Sequence, residues 1–183
     1  MKKCLWALSS PLEENYHDTQ WGIPLYDDQK LFEMLILETQ QTGLSWLTIL
    51  KKQTLMKEAY HQFDPHILAN LTENQISSYL TDDRVIKNKL KIKSVIANAK
   101  AYLELIKTES FNSFLWSYVN HQPILNQFKT IEEIPSQTEL SKKISKDLKK
   151  RGFQFVGPTV IYAYMQAIGM TNDHLIDCPF YKR

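Results

Sequence analysis

The 183-residue chain is short of glycine, short of cysteine and nearly neutral. Each shortage excludes something. Five glycines are too few for glycine-rich nucleotide loops, or for the many tight turns of a strand-dense fold. A net charge of +2 leaves no polycationic surface, so any contact with a polyanion must come from local basic clusters. No apolar run approaches the ~20 residues of a membrane span, so no membrane partner is expected. Met1-Lys2-Lys3 precedes only a short apolar patch, interrupted at Ser9-Ser10-Pro11, which does not make an export signal. A cytoplasmic location is the expectation. Neither an internal repeat nor a low-complexity linker is present.

What remains is an ordinary globular composition, 43% hydrophobic and 23% charged, in a chain long enough to bury a core without cross-links. The apolar spacing is helical almost throughout, and nothing alternates with period two over a useful length. An all-α single domain over residues 1–183 is expected. Asp27-Asp28 is placed to cap a helix carrying Leu31, Met34 and Leu35, which Gly43 ends. Ser45 starts another through Trp46, Ile49 and Leu50 toward Tyr60. Asp64-Pro65 pairs a cap with a proline at the first helical position. Thr72-Glu73-Asn74-Gln75 fits a capping box. Residues 84–106 read as one long amphipathic helix with lysines on its wet face, and 111–119 as a short aromatic helix. Residues 121–137 are irregular.

The two cysteines lie at opposite ends, Cys4 near His17 and Cys178 near His174. Two thiolates and two imidazoles make a closed tetrahedral Zn²⁺ site. The spacing His174-x-x-x-Cys178 corresponds to one helical turn, whereas a loop must fold back between Cys4 and His17. A Cys4–Cys178 disulfide and a pair of free buried thiols are the competing readings, the first disfavoured in a reducing compartment.

Three other features suggest chemistry. Residues 139–151 are helical and end in Lys149-Lys150-Arg151; Gly152 to Gly157 then turn the chain, and Pro158 opens a second helix. Free N–H groups at that second start, with the cations beside them, can hold a phosphate without reading sequence. A plain αα-hairpin with a solvated basic end has the same pattern. Glu38 follows the apolar run Met34-Leu35-Ile36-Leu37, where an unpaired carboxylate is costly to bury; it is either paired or aimed into a site. Leu44, beside Gly43 at a turn tip, is either packed inward or exposed as a wedge. Trp6, Tyr16, Trp21 and Trp46 are enough to line an aromatic pocket, although such rings more often belong to a core.

Several ordered motifs carry a resemblance. Cys4-x-Trp6, Tyr16-His17-Asp18-x-x-Trp21-Gly22, Leu31-Phe32-Glu33-Met34, Glu38-x-Gln40-Gln41-x-Gly43-Leu44-Ser45-Trp46, Trp116-Ser117-x-Val119-Asn120, Lys149-Lys150-Arg151-Gly152-Phe153-x-Phe155-Val156-Gly157 and Asn172-Asp173-His174 resemble the Tag-type DNA-3-methyladenine glycosylase I family. The likeness runs from Cys4 to Cys178. It implies a helix-hairpin-helix glycosylase, with the motif at about 139–169, which hydrolyses the N-glycosidic bond of 3-methyladenine in alkylated double-stranded DNA. The products are an abasic site and the free base, and the protein acts as a monomer. One structural zinc is implied, held by Cys4, His17, His174 and Cys178 as a clasp between residues 4–17 and 174–178. Glu38 is implied as the catalytic and base-reading residue, with Trp6, Tyr16, Trp21 and Trp46 around the base. Gln41, Gly43 and Leu44 are implied at the lesion, and Lys150, Arg151, Gly152 and Gly157 at the phosphates. No lysine falls in the expected pocket, so a Schiff-base lyase step is not expected. Two positions stand out. Glu13 occupies a place where the family carries a base-stacking Tyr, which leaves a non-catalytic, lesion-binding role as the alternative. Asp173 is near the place of the superfamily's catalytic Asp, but adjoins a proposed zinc ligand and is read as structural.

Overall fold

The computed structural model describes residues 2–181, and these are mostly helical. The expected single domain spanning 1–183 thus has its outermost residues outside the described part. Among the described residues there are nine α-helices: α1 (Pro11–Thr19), α2 (Asp28–Gln41), α3 (Trp46–Ala59), α4 (Pro65–Ala69), α5 (Glu73–Ser78), α6 (Lys89–Leu105), α7 (Phe111–Trp116), α8 (Glu139–Lys150) and α9 (Pro158–Ala167). The caps fall where the local chemistry demands. Asp27, Ser45, Asp64 and Thr72 each accept a backbone N–H of the helix that follows, and Thr72 with Gln75 closes a capping box.

Helix α2 is the axis of the fold. Leu31, Phe32, Leu35, Ile36 and Leu37 are fully buried, so the helix is apolar nearly all round and must be surrounded. Helices α3, α6, α7 and α9 pack on it. Polar anchors fix those contacts. The Tyr164 hydroxyl donates to the Leu31 carbonyl at 2.9 Å, and Asp28 accepts the Phe111 and Asn112 N–H groups at the start of α7.

Four details differ from the expected elements. The long helix begins at Lys89 rather than at residue 84, because the Asn88 side chain accepts from the Leu90 and Lys91 N–H groups and caps it there. Lys91 is not on the wet face; only 6% exposed, it turns inward to α2. The link from Cys4 to His17 is not a loop: a 3₁₀ turn over Leu5–Ser9 leads into α1, capped by Ser10 with Pro11 in its first turn. Finally, the irregular stretch contains a two-residue strand β1 (Ile124–Leu125), parallel to β2 (Thr171–Asn172). A pair this short has no period to read from sequence.

One glycine decides how the N-terminal part meets the C-terminal helix. Gly169 has φ +66°, and a Cβ there would lie 2.3 Å from the Ile23 backbone. This close approach lets the Gly22 and Leu25 N–H groups bond the Gln166 and Ile168 carbonyls. Trp21 is thereby held against the end of α9.

Candidate functional site

At the C-terminal end of α2 lies a cavity of about 310 Å³, lined by Trp6, Tyr16, Trp21, Glu38, Gln41, Trp46, Ile131, Ile134, Ala163 and Gln166. All four expected aromatic residues converge there. Trp6 meets Trp21 edge-on at 5.1 Å between ring centroids and Tyr16 at 6.4 Å, and Tyr16 meets Trp46 at 5.1 Å. Tyr16 and Trp21 also belong to the core, so one set of rings serves packing and cavity together. Trp46 Nε1 is buried and, among the described residues, has no hydrogen-bond partner.

Glu38 is 3% exposed and, among the described residues, has no hydrogen-bond or ion-pair partner. Burial raises its pKa from 4.5 to about 8. Of the two sequence readings, paired or aimed into a site, the geometry selects the second. Its placement follows from α2 itself, which presents Glu38 and Gln41, three residues apart, on one face at the helix end.

Beyond Gln41 the chain turns sharply. Gly43 has φ +76° with open space around its Cβ position, and half-buried Leu44 follows. The Gln41 Nε2 donates to the Leu44 carbonyl at 2.8 Å, and the Leu44 N–H to the Gln41 carbonyl at 2.7 Å. Lys91 Nζ donates to the Gln40 and Thr42 carbonyls, both at 2.7 Å. The α2 C-terminus, whose last carbonyls lack helical partners, is thus tied down by a buried cation.

The basic turn is separate from this cavity. Helices α8 and α9 pack together, and the connection is pinned by Ser145 Oγ donating to the Val156 carbonyl at 2.6 Å and by Asn98 bonding both backbone groups of Gln154. Lys150 faces an open cleft with Lys142, Lys146, Lys149 and Pro158. Arg151 points elsewhere, stacking over the Phe114 ring at 4.7 Å with Glu109 3.5 Å away. Gly152 adopts φ +92°. Gly157 is the N-cap of α9, supplies no side-chain cap and has open space about it.

Cys4, His17, His174 and Cys178 are all buried and offer ligand atoms within 4.8 Å of one another. His174 Nδ1 lies 3.1 Å from His17 Nε2 and 3.6 Å from Cys178 Sγ; Cys178 Sγ lies 3.5 Å from His17 Nε2, and Cys4 Sγ 3.9 Å from His174 Nδ1. Tetrahedral Zn²⁺ with ordinary bond lengths has ligand–ligand edges of about 3.3–3.8 Å. The outward nitrogens face acceptors: His17 Nδ1 is 2.8 Å from Asp18 Oδ1, and His174 Nε2 is 3.3 Å from the Trp21 carbonyl. Protons placed there leave both remaining nitrogens with lone pairs toward the cluster, the arrangement a metal ligand needs. The donor set therefore fits zinc. Both cysteines are free, so the disulfide alternative is not realised. Residues 174–178 form a turn rather than the helical turn expected, with the Cys178 N–H bonding the Leu175 carbonyl.

Two further residues take clear places. Asp173 is fully buried and accepts from Tyr162, Gln166, Asn126 and Thr171 at 2.6–3.0 Å. Its carboxylate is committed to holding structure together. Glu13 is bonded to Ser10 Oγ at 2.9 Å in the first turn of α1 and is not among the cavity residues. Ile131, Ile134, Ala163 and Gln166 escaped the sequence reading. Gln166 had a signal, a polar side chain inside an apolar helical run; the two isoleucines, in irregular chain, had none.

Residues 6–182 match the methyladenine glycosylase family model. A DNA-3-methyladenine glycosylase of Haemophilus influenzae is 47% identical, over 97% of this chain and 96% of its own. A crystal structure of 3-methyladenine DNA glycosylase I superposes with a TM-score of 0.96 at 43% identity, covering 98% of this chain and 99% of the other. A Staphylococcus aureus 3-methyladenine DNA glycosylase I, solved for the structural basis of its 3-methyladenine recognition, has a TM-score of 0.93 at 38% identity, covering 96% of this chain and 94% of that one.

Proposed function

The chain belongs to the methyladenine glycosylase family, and on that premise we propose that it excises 3-methyladenine from alkylated double-stranded DNA, leaving an abasic site. The observation that carries the proposal is Glu38, a buried and unpartnered carboxylate among aromatic rings at one cavity.

A base inside the duplex has to leave the stack before a pocket can hold it. Methylation at N3 puts a positive charge on the base. Electron-rich faces of Trp6, Tyr16, Trp21 and Trp46 attract that charge, and the ring-lined wall excludes water. Glu38 is the catalytic residue, with a carboxyl oxygen accepting from the exocyclic amine of the base. In the hydrolysis a water oxygen bonds to C1′ of the sugar, the N-glycosidic bond breaks and its electron pair leaves with the base. The base departs neutral, and the water proton passes to solvent. A substrate that carries its own positive charge needs little further acid assistance, which suits a site where Asp173, bonded to the lining residue Gln166, is occupied by four hydrogen bonds.

Gln41, Gly43 and Leu44 form the tip that fills the gap left by the base. The α8–turn–α9 unit acts as a helix-hairpin-helix anchor, with Lys150, Gly152 and Gly157 toward the phosphates, while Arg151 is turned to Phe114 and Glu109. Cys4, His17, His174 and Cys178 hold one Zn²⁺ whose four positions are all filled by protein, so the ion is structural and clasps the two ends of a single monomeric domain acting in the cytoplasm. The decisive experiment is release of 3-methyladenine from methylated duplex DNA by the purified protein. Release that Glu38→Ala and Trp46→Ala strongly reduce is expected; no release by folded protein overturns the proposal.

A further inference from the structure

We propose that Gln166 is a second base-reading residue, its carbonyl oxygen Oε1 held by Asp173 as a fixed acceptor for the exocyclic amine of the bound base. The inference rests on the cavity being the base pocket, as argued above.

The orientation of this amide follows from chemistry. Gln166 Nε2 lies 2.7 Å from Asp173 Oδ2. Asp173 also accepts from the Tyr162 hydroxyl at 2.6 Å through that oxygen, and from Asn126 and Thr171 through Oδ1. A carboxylate surrounded by donors accepts, so the Gln166 group facing it is the NH₂ and not the carbonyl. Oε1 then has no protein partner among the described residues, on a side chain that lines the cavity. Donating through Nε2 polarises the amide and makes its oxygen a stronger acceptor.

Two acceptors in one cavity suit a group with two N–H bonds. Glu38 takes one from the amine and Gln166 the other. A base with an oxo group at the same ring position presents an acceptor instead, and acceptor facing acceptor costs binding. The two residues differ in one respect. Glu38 carries its proton up to about pH 8, whereas the amide oxygen of Gln166 accepts at every pH. A fixed acceptor keeps the amine readable over the range where Glu38 titrates.

The test is binding of free 3-methyladenine and of 3-methylpurine, which lacks the amine, to the full-length protein and to Gln166→Leu and Gln166→Met. For 3-methyladenine the variants are expected to bind about 3- to 10-fold more weakly, the range of one neutral hydrogen bond. For 3-methylpurine they are expected to match the parent. A purely structural role would weaken both ligands equally, and that result overturns the proposal. Equal affinity of parent and variants for 3-methyladenine also overturns it. If the variants do not fold, the side-chain carbonyl ¹³C resonance of Gln166 in the parent protein decides: it shifts with 3-methyladenine and not with 3-methylpurine, and an unmoved signal overturns the inference. Failure of the parent protein to bind 3-methyladenine at all removes the base-pocket proposal itself, so the two failures are distinguishable.

Discussion

The ammonium of Lys91, a lysine that is 6% exposed, donates to the carbonyl of exposed Thr42 at 2.7 Å in a partly buried bond. Its second bond, to the Gln40 carbonyl, brackets Gln41, the residue that borders the cavity and ties back to Leu44. Burial lowers the Lys91 pKa, yet both bonds favour a charged donor at a helix C-terminus.

Lys91→Met should therefore loosen the turn carrying Gly43 and Leu44. Leaving the buried Gln40 carbonyl without this donor costs about 1–3 kcal/mol at most, so a lower melting temperature is expected in a protein that still folds. Base release from duplex DNA should fall, while free 3-methyladenine binds nearly as before. Equal losses in both measurements would remove Lys91 from the role of setting the turn.

Glu38→Gln gives a pH signature. The Glu38 pKa is raised by burial from 4.5 to about 8, so the folded state holds a proton that the unfolded chain releases. That contribution to stability is fully present below 4.5 and is lost as pH rises through 8. The amide variant, neutral throughout, should match the parent below the lower value and exceed it in stability increasingly up to the higher one. The difference then levels off. Thermal unfolding measured across this window checks it; a difference independent of pH would contradict a buried, proton-holding Glu38.

One zinc per chain is expected in the purified protein. Cys4→Ser should lower its retention, and chelation should lower the melting temperature, because metal binding to four preformed ligands contributes directly to folding free energy. Metal analysis alongside thermal unfolding is the measurement. A full complement of tightly held zinc in Cys4→Ser would exclude this site as its holder.

Lys150 and Arg151 adjoin in sequence but are placed differently, and DNA binding should separate them. Lys150→Ala should reduce the dependence of log affinity on log salt by about one unit, as loss of a phosphate contact does. Arg151 stacks on Phe114 and lies near Glu109, so Arg151→Ala should alter the slope less and stability more. Duplex titrations at several salt concentrations read the first effect and thermal unfolding the second. The opposite ordering would place Arg151 at the phosphates and Lys150 away from them.

The helical class and the caps were legible because they are local. A Ser, Asp or Thr before an apolar run satisfies N–H groups within its own few residues, and Asp27, Ser45, Asp64 and Thr72 all did so. Helix α1 carried the same local signal, Ser10-Pro11 as a cap and a first-turn proline, yet a loop was expected there. The start of the long helix was misplaced because Asn88, a side-chain cap, outweighed the apolar spacing before it. Lys91 was misplaced for another reason: a lysine's own spacing does not reveal that two orphan carbonyls wait 51 and 49 residues away.

Residue order is enough to mark the groups that chemistry needs, two thiols with two imidazoles and one carboxyl in an apolar run. Pattern marks these because each is costly to bury without a use. The tertiary structure alone decided what they meet. Cys4 and Cys178 remain thiols beside two histidines rather than a disulfide. Among the described residues Glu38 has no partner, and Gln166 is oriented by Asp173. The cysteine–histidine cluster depends on distances between segments far apart in the chain, as does the contact of residues 21–25 with the end of α9 through Gly169. Local spacing carries no information about that contact.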